Sequence, residues 1–309
     1  MSVIVLVHGV NQQQKGAATI HEEVIHALSD GIRNAAKDVP DAELQSKANA
    51  LAERISALDI EVSTPFYGDL FLKPRVDGSA AQEFGDSLAR AWIQSASERA
   101  ARERTRVVAE QELRQLTAQG EAQGVGRMAG SAFESLGRIP GLAQTLMGVA
   151  TAIKPTFSQL NLYLSDPVLQ QTIREEVSRQ ISPATRVVIG HSLGSIVTFD
   201  VVRTLNQRLP LFLTLGSPLG LKEIIYKRLQ PQPPSFPGPV QRWVNIADRE
   251  DFVASTPDLR PLFSEGMPTG SRFDNDETVD NGNDPHGLDR YLTKKVTGLA
   301  LIEALIPLL

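Results

Sequence analysis

Short aliphatic runs recur along the chain, separated by stretches in which apolar positions repeat every three or four residues. Val3 to Val7 (VIVLV) is a run of five aliphatic residues, mostly β-branched, closed by Gly9. A run with no polar alternation reads as a strand covered on both faces, the environment of a parallel sheet. Similar runs stand at Ile60 to Thr64, Arg186 to His191 (RVVIGH), Leu211 to Leu215 (LFLTL) and Arg242 to Ala247 (RWVNIA). Between them, Ile20, Val24, Ala27 and Leu28 before Gly31, and Val168, Ile173, Val177 and Ile181 before Pro183, recur at helical spacing. Strands that alternate with helices predict an α/β fold on a mostly parallel sheet.

The alternation stops between Gly78 and about Pro155, where no strand pattern occurs. There Phe84, Leu88, Trp92, Ala96 and Ala100 predict one long, partly exposed helix, with Glu98/Arg102, Arg99/Glu103, Arg106/Glu110 and Glu110/Arg114 as i,i+4 pairs on its outer side. A glycine-rich stretch from Gly120 to Gly148 follows, carrying Phe133, Leu136, Leu142, Leu146 and Met147. Its glycines suit close helix packing or a surface loop, or the hinges of a mobile apolar lid. The chain then divides into a first part of the α/β core at 1–77, a helical insertion at 78–155 that is a candidate lid or cap, and a second part of the core at 156–309. Pro231 to Pro239 (PQPPSFPGP) reads as a rigid connector. Ser264 to Asp284 reads as a solvated loop whose Asp274, Asp276, Glu277, Asp280 and Asp284 match no EF-hand spacing.

Composition narrows the class. With 309 residues the chain holds roughly two domains, or one large α/β unit with an insertion. At 41% hydrophobic and 22% charged residues, it is an ordinary globular sequence. A net charge of -5 without a basic block argues against a phosphate-backbone footprint, so no nucleic-acid partner is expected. The absence of cysteine excludes disulfides, thiolate metal sites and a Cys nucleophile. Met1 and Ser2 lead straight into the first strand, without the basic and apolar regions of a secretory signal. The longest apolar stretches, Ile139 to Ile153 and Val296 to Leu309, contain Gln144 and Glu303 and are shorter than a membrane span of about 20 residues. A cytoplasmic address is expected.

Gly190-His191-Ser192-Leu193-Gly194 has the form G-x-S-x-G, between the strand Val187 to Ile189 and a helical segment from Ile196 to Leu209. Such a pentapeptide sets a serine on a sharp strand-to-helix turn, and its glycines let neighbouring backbone approach. A nucleophilic serine needs a base. His21 and His26 fall on the first helix, His8 in the turn after the first strand, and His191 beside the serine, which leaves His286 near the C-terminus. The carboxylate that would orient it should follow a later strand. Asp248 and Asp251 both follow Trp243 to Ala247, giving the order Ser, Asp, His with either one.

These segments resemble the α/β-hydrolase superfamily, in particular its lipase and serine-esterase branches, over roughly a fifth of the chain. His8-Gly9 is similar to the HG of the oxyanion loop, and Thr214-Leu215-Gly216-Ser217-Pro218 to the segment after the next strand in many lipases. The resemblance favours Asp251, which precedes Phe252-Val253, over Asp248 as the triad acid, and His286 with the downstream Tyr291 as the base. It implies an α/β-hydrolase sheet with a minimal N-terminal side, and an oxyanion hole from the amides of Leu193 and Val10, with Asn11 and Gln12 nearby. The implied activity is cleavage of carboxylic esters, lipid or fatty-acyl esters in particular, by a Ser-His-Asp triad without metal or organic cofactor. Thioesterase or acyltransferase chemistry uses the same triad, and an inactive binding module can share the fold. The expected partner is a small acyl ester or lipid, with the insertion as the point of any peripheral membrane contact. Departures from secreted lipases, which carry export signals and disulfides, speak against extracellular fat digestion.

Overall fold

The computed structural model describes residues 1–10, 15–71, 79–123, 131–140 and 153–308. Six strands form one all-parallel sheet: β1 Ile4–Val7, β2 Val62–Ser63, β3 Val187–His191, β4 Leu209–Leu215, β5 Val240–Asp248 and β6 Arg272–Val279, in the order β2-β1-β3-β4-β5-β6. Among the described residues only the two-residue β2 lies outside β1. Every residue of β1 and β3 is buried, as their unbroken aliphatic runs require when both faces of a sheet are covered.

The helices are α1 Ala17–Ala36, α2 Ala42–Ser56, α3 Ser79–Arg99, α4 Glu103–Gln123, α5 Ser131–Arg138, α6 Ile153–Ser165, α7 Pro167–Gln180, α8 Leu193–Val202, α9 Arg260–Phe263, α10 Leu288–Leu292 and α11 Lys295–Leu305. One face of the sheet buries Ile4, Leu6, Ile189, Leu213 and Ile246 against α1, α2, α10 and α11. The other buries Val5, Val7, Val188, Phe212 and Trp243 in a cluster that takes in α8, α7 and residues of the 78–155 segment. Within that segment α3 packs on α4 and α5, and also on α6. Leu88, Trp92, Ile93 and Leu136 are fully or almost fully buried. Residues 124–130 and 141–152, with Leu142, Leu146, Met147 and several of the glycines, lie outside the described residues. No described helix is long and apolar enough to cross a membrane.

Several sequence expectations are corrected. The first helix does not stop at Gly31. A Cβ on Gly31 would stand 2.1 Å from the carbonyl oxygen of Leu292, and one on Gly298 would stand 2.1 Å from the carbonyl oxygen of Gly31. These glycines allow helices to cross closely, and packing outweighs the roughly 1 kcal/mol of lost helix propensity. The long helix from Phe84 divides at Ala100–Arg102 into α3 and α4. There the Glu250 carboxylate accepts from the amides of Ala101 at 2.6 Å and Arg102 at 3.3 Å, a cap supplied from the far end of the chain. Of the four i,i+4 pairs, Glu110–Arg114 forms, at 3.3 Å. The helix after Ser192 ends at Val202, and Leu209 opens β4. In α7 the buried positions are Leu169, Ile173 and Val177, whereas Val168 is exposed. Part of the presumed loop Ser264 to Asp284 is the edge strand β6, whose polar run Arg272 to Val279 stays half-exposed beside β5.

Candidate active site

Ser192 joins the end of β3 to the start of α8 with φ 55° and ψ −128°. A serine in this left-handed region is strained by about 1–3 kcal/mol, and the surroundings must hold it there. The flanking glycines show how. A Cβ on Gly190 would lie 2.2 Å from Thr198 Oγ1, and one on Gly194 would lie 2.1 Å from the Val7 carbonyl oxygen, so no larger residue lets the turn sit between β1 and α8. Ser192 donates its amide to the carbonyl of Leu215 at 3.1 Å. Its own carbonyl accepts from Ser195 Oγ at 2.6 Å, and that hydroxyl meets Ser217 Oγ at 2.7 Å.

The next residue of the same β4 end, Gly216, links this turn to a second cluster. With φ +52°, it occupies backbone space that L side chains rarely adopt, and a Cβ there would stand 2.6 Å from Asp251 Oδ2 and 3.0 Å from His286 Nδ1. His286 Nδ1 lies 2.8 Å from Asp251 Oδ2. A carboxylate accepts, so Nδ1 carries the proton and Nε2 keeps its lone pair when the ring is neutral. Asp251 Oδ2 also accepts from Tyr291 Oη at 2.7 Å, and Oδ1 accepts from the amides of Val253 at 3.0 Å and Ala254 at 3.4 Å. Burial alone would push the Asp251 carboxyl up, but the charge and bond of His286, joined by Tyr291, hold it below the usual carboxylate range. Burial likewise opposes a charged His286, and the neighbouring carboxylate wins and raises its pKa above the usual imidazole value.

His191 ties the two clusters together. Its ring centroid is 4.7 Å from that of His286, and its Nε2 donates to the His286 carbonyl at 2.8 Å. Burial, reinforced by His286, lowers its pKa to about 3, so the ring is neutral with its proton on the donating nitrogen. His286 is thus held by its carbonyl from the Ser192 turn and by its ring from Asp251. All of these groups sit at the carboxyl ends of parallel strands, where open α/β sheets place their ligands.

Of the two aspartates, Asp248 closing β5 and Asp251 in the loop beyond it, the structure brings Asp251 to His286 and turns Asp248 elsewhere. Asp248 accepts from the Glu250 amide at 2.7 Å and from the Asn281 amide, and donates its own amide to Tyr291 Oη at 2.9 Å. It braces the loop, with its carboxyl raised by burial. Tyr291 therefore joins both turns of the loop, a role its position after His286 does not reveal. Arg99, at the end of α3, donates from Nη1 to the Ala254 carbonyl at 2.9 Å and so clamps the same loop from that helix. Helical spacing gives no sign of it.

The expected oxyanion donors lie close by. Leu193 is the first residue of α8, whose opening amides have no partner within the helix. Val10 follows Gly9, where a Cβ would stand 3.2 Å from Ser192 Oγ, so this loop runs against the serine. Asn11 and Gln12 lie outside the described residues. His8 is buried, bonded through Nδ1 to the Gly9 carbonyl at 2.7 Å and stacked on Tyr67 at 4.5 Å. Burial lowers its pKa to about 4. His21 meets Thr64 Oγ1 at 3.2 Å, and His26 is exposed on α1. Among the described residues no group of three or more His, Cys, Asp or Glu is placed to hold a metal ion. No protein-family model matches the chain, and neither a curated protein nor a solved structure does.

Proposed function

We propose that the chain is a serine ester hydrolase of the α/β-hydrolase type, cleaving carboxylic esters, chiefly of lipids or fatty acids, through an acyl-enzyme. The observation that carries this reading is the serine held at φ 55° on a strand-to-helix turn, joined through the His191 side chain to a His286–Asp251 pair bonded at 2.8 Å. In this mechanism Ser192 attacks the acyl carbonyl as His286 Nε2 takes its proton. Asp251 fixes the ring and stabilises the imidazolium that forms. The amides of Leu193 and Val10 receive the oxyanion, a contribution of about 3–4 kcal/mol per donor in other serine hydrolases. His286 then protonates the leaving alcohol, and water, activated by the same base, releases the acid. None of these steps calls on a metal or organic cofactor.

The insertion serves here as a cap over the acyl chain, supported by its apolar buried surface and by the Arg99 and Glu250 contacts that join it to the acid loop. Replacing 126–148 with a short polar linker is expected to abolish preference for long acyl chains while short esters are still cleaved. Unchanged chain-length preference in a folded variant would assign the insertion to packing alone. Thioesters, or acyl transfer to an alcohol, are the second reading, favoured if they outcompete water and oxygen esters at equal concentration. The decisive experiment is labelling with a fluorophosphonate probe followed by turnover of p-nitrophenyl esters of increasing acyl length and of phospholipids. Labelling confined to Ser192 is expected. No labelling of the folded chain would make it a binding module.

A further inference from the structure

A cavity of about 390 Å³ lies at the end of the sheet opposite Ser192, beneath the amino-terminal ends of β3 to β6. Four adjacent parallel strands each bring one arginine to its wall: Arg186 just before β3, Arg208 just before β4, Arg242 in β5 and Arg272 at the start of β6. Arg242 and Arg272 are direct register partners. With strands about 4.8 Å apart, the row spans roughly 14 Å.

The acidic groups nearby account for only half of this charge. Glu303 of α11, the one carboxylate in the wall, receives Arg242 Nη1 at 2.6 Å and also Arg272 Nη2, while Asp274 receives Arg242 Nε at 2.6 Å. Arg186 and Arg208 form no ion pair among the described residues. Arg186 makes one long bond, from Nη2 to the Ala304 carbonyl at 3.4 Å, and its Nε is buried without an acceptor. Arg208 is exposed, and a guanidinium fork without a carboxylate partner is free to pair with an anion. The chain as a whole carries a net charge of -5, so this is a local concentration against the general sign. Gly238 and Gly270 leave open space where side chains would otherwise stand, which keeps the rim low.

We propose that this cavity binds a small soluble polyanion carrying two or more phosphate or carboxylate groups. The arginine forks match such groups in pairs, and the volume is that of a small-molecule site rather than a macromolecular face. The site is independent of Ser192 and does not rest on the hydrolase reading.

The test is calorimetric titration and thermal unfolding of the full chain with pyrophosphate and with citrate at fixed ionic strength. A separate arm uses phosphatidylcholine vesicles containing phosphatidic acid. Saturable binding with a raised Tm is expected for at least one of the soluble anions. The Arg186→Met/Arg208→Met variant should bind at least about tenfold more weakly. Glu303→Gln, which removes the carboxylate from the wall, freeing Arg272 and leaving Arg242 with Asp274 alone, should bind more tightly, so one variant reports a gain even if the other folds poorly. Absence of saturable binding, or equal affinity in all three proteins, would overturn the proposal. Binding to vesicles alone would replace it with a lipid headgroup site.

Discussion

Two aspartates are buried against tyrosines in this molecule, and their ionisation is driven in opposite directions. Asp200 of α8 accepts from Tyr163 Oη at 2.8 Å and lies 3.5 Å from Arg203 Nη2. Burial outweighs both, and its carboxyl is raised. Asp251 is more completely buried, yet its carboxyl is lowered, because the charge and hydrogen bond of the His286 imidazole accompany its tyrosine. Burial does not decide whether a carboxylate stays charged; the donors aimed at it do. Asp200 ties α6 to α8. Asp251 remains an anion at neutral pH, the condition for stabilising an imidazolium.

The contrast can be broken most severely at Ser192. Ser192→Ala should lower ester turnover at least about 10³-fold with the fold intact, and undiminished turnover in a folded variant removes the mechanism. Next comes the acid. Asp251→Asn should reduce kcat by about 10³ to 10⁴-fold, as loss of the triad acid does elsewhere. Asp248→Ala and Asp200→Asn should stay within about tenfold of the parent, and a larger kcat loss in Asp248→Ala than in Asp251→Asn would reverse the assignment. Tyr291→Phe should have a smaller effect, about tenfold in kcat. Without its bond the Asp251 carboxylate is more basic and raises the His286 pKa further. In the proposed mechanism neutral His286 is the base, so the acid limb of kcat/KM should move to higher pH, and a limb that stays put counts against Tyr291 as a positioning residue.

The smallest effect is on stability, at Asp200. A folded-state pKa raised above the unfolded value penalises the folded state above the unfolded value, and protonation relieves the penalty as pH falls through the folded value. Asp200→Asn, a neutral near-isostere, should therefore compare best with the parent near pH 7 and lose that advantage toward pH 4. Thermal unfolding at the two values checks this; an advantage that grows in acid contradicts it.

The strands β1, β3, β4 and β5 were legible because burial on both faces demands runs that are mostly apolar. β6 was not, since an edge strand with polar residues such as Asp274 and Glu277 reads as a loop. Ser192 was marked by its glycines and His286 by elimination, but the residues alone left Asp248 and Asp251 equal. Their separation depends on where Tyr291, Asn281 and His286 arrive in space. The break between α3 and α4 was hidden for the same reason, its capping carboxylate being Glu250.

The left-handed backbone of Ser192 also bears on how this chain can drift over generations. Glycine occupies that conformation without the steric conflict of a side chain, so Ser192→Gly should unfold at a higher temperature than Ser192→Ala, by about 1 kcal/mol or less. Replacement by glycine is thus rewarded in folding, and a population retains the serine only while something other than stability selects for it.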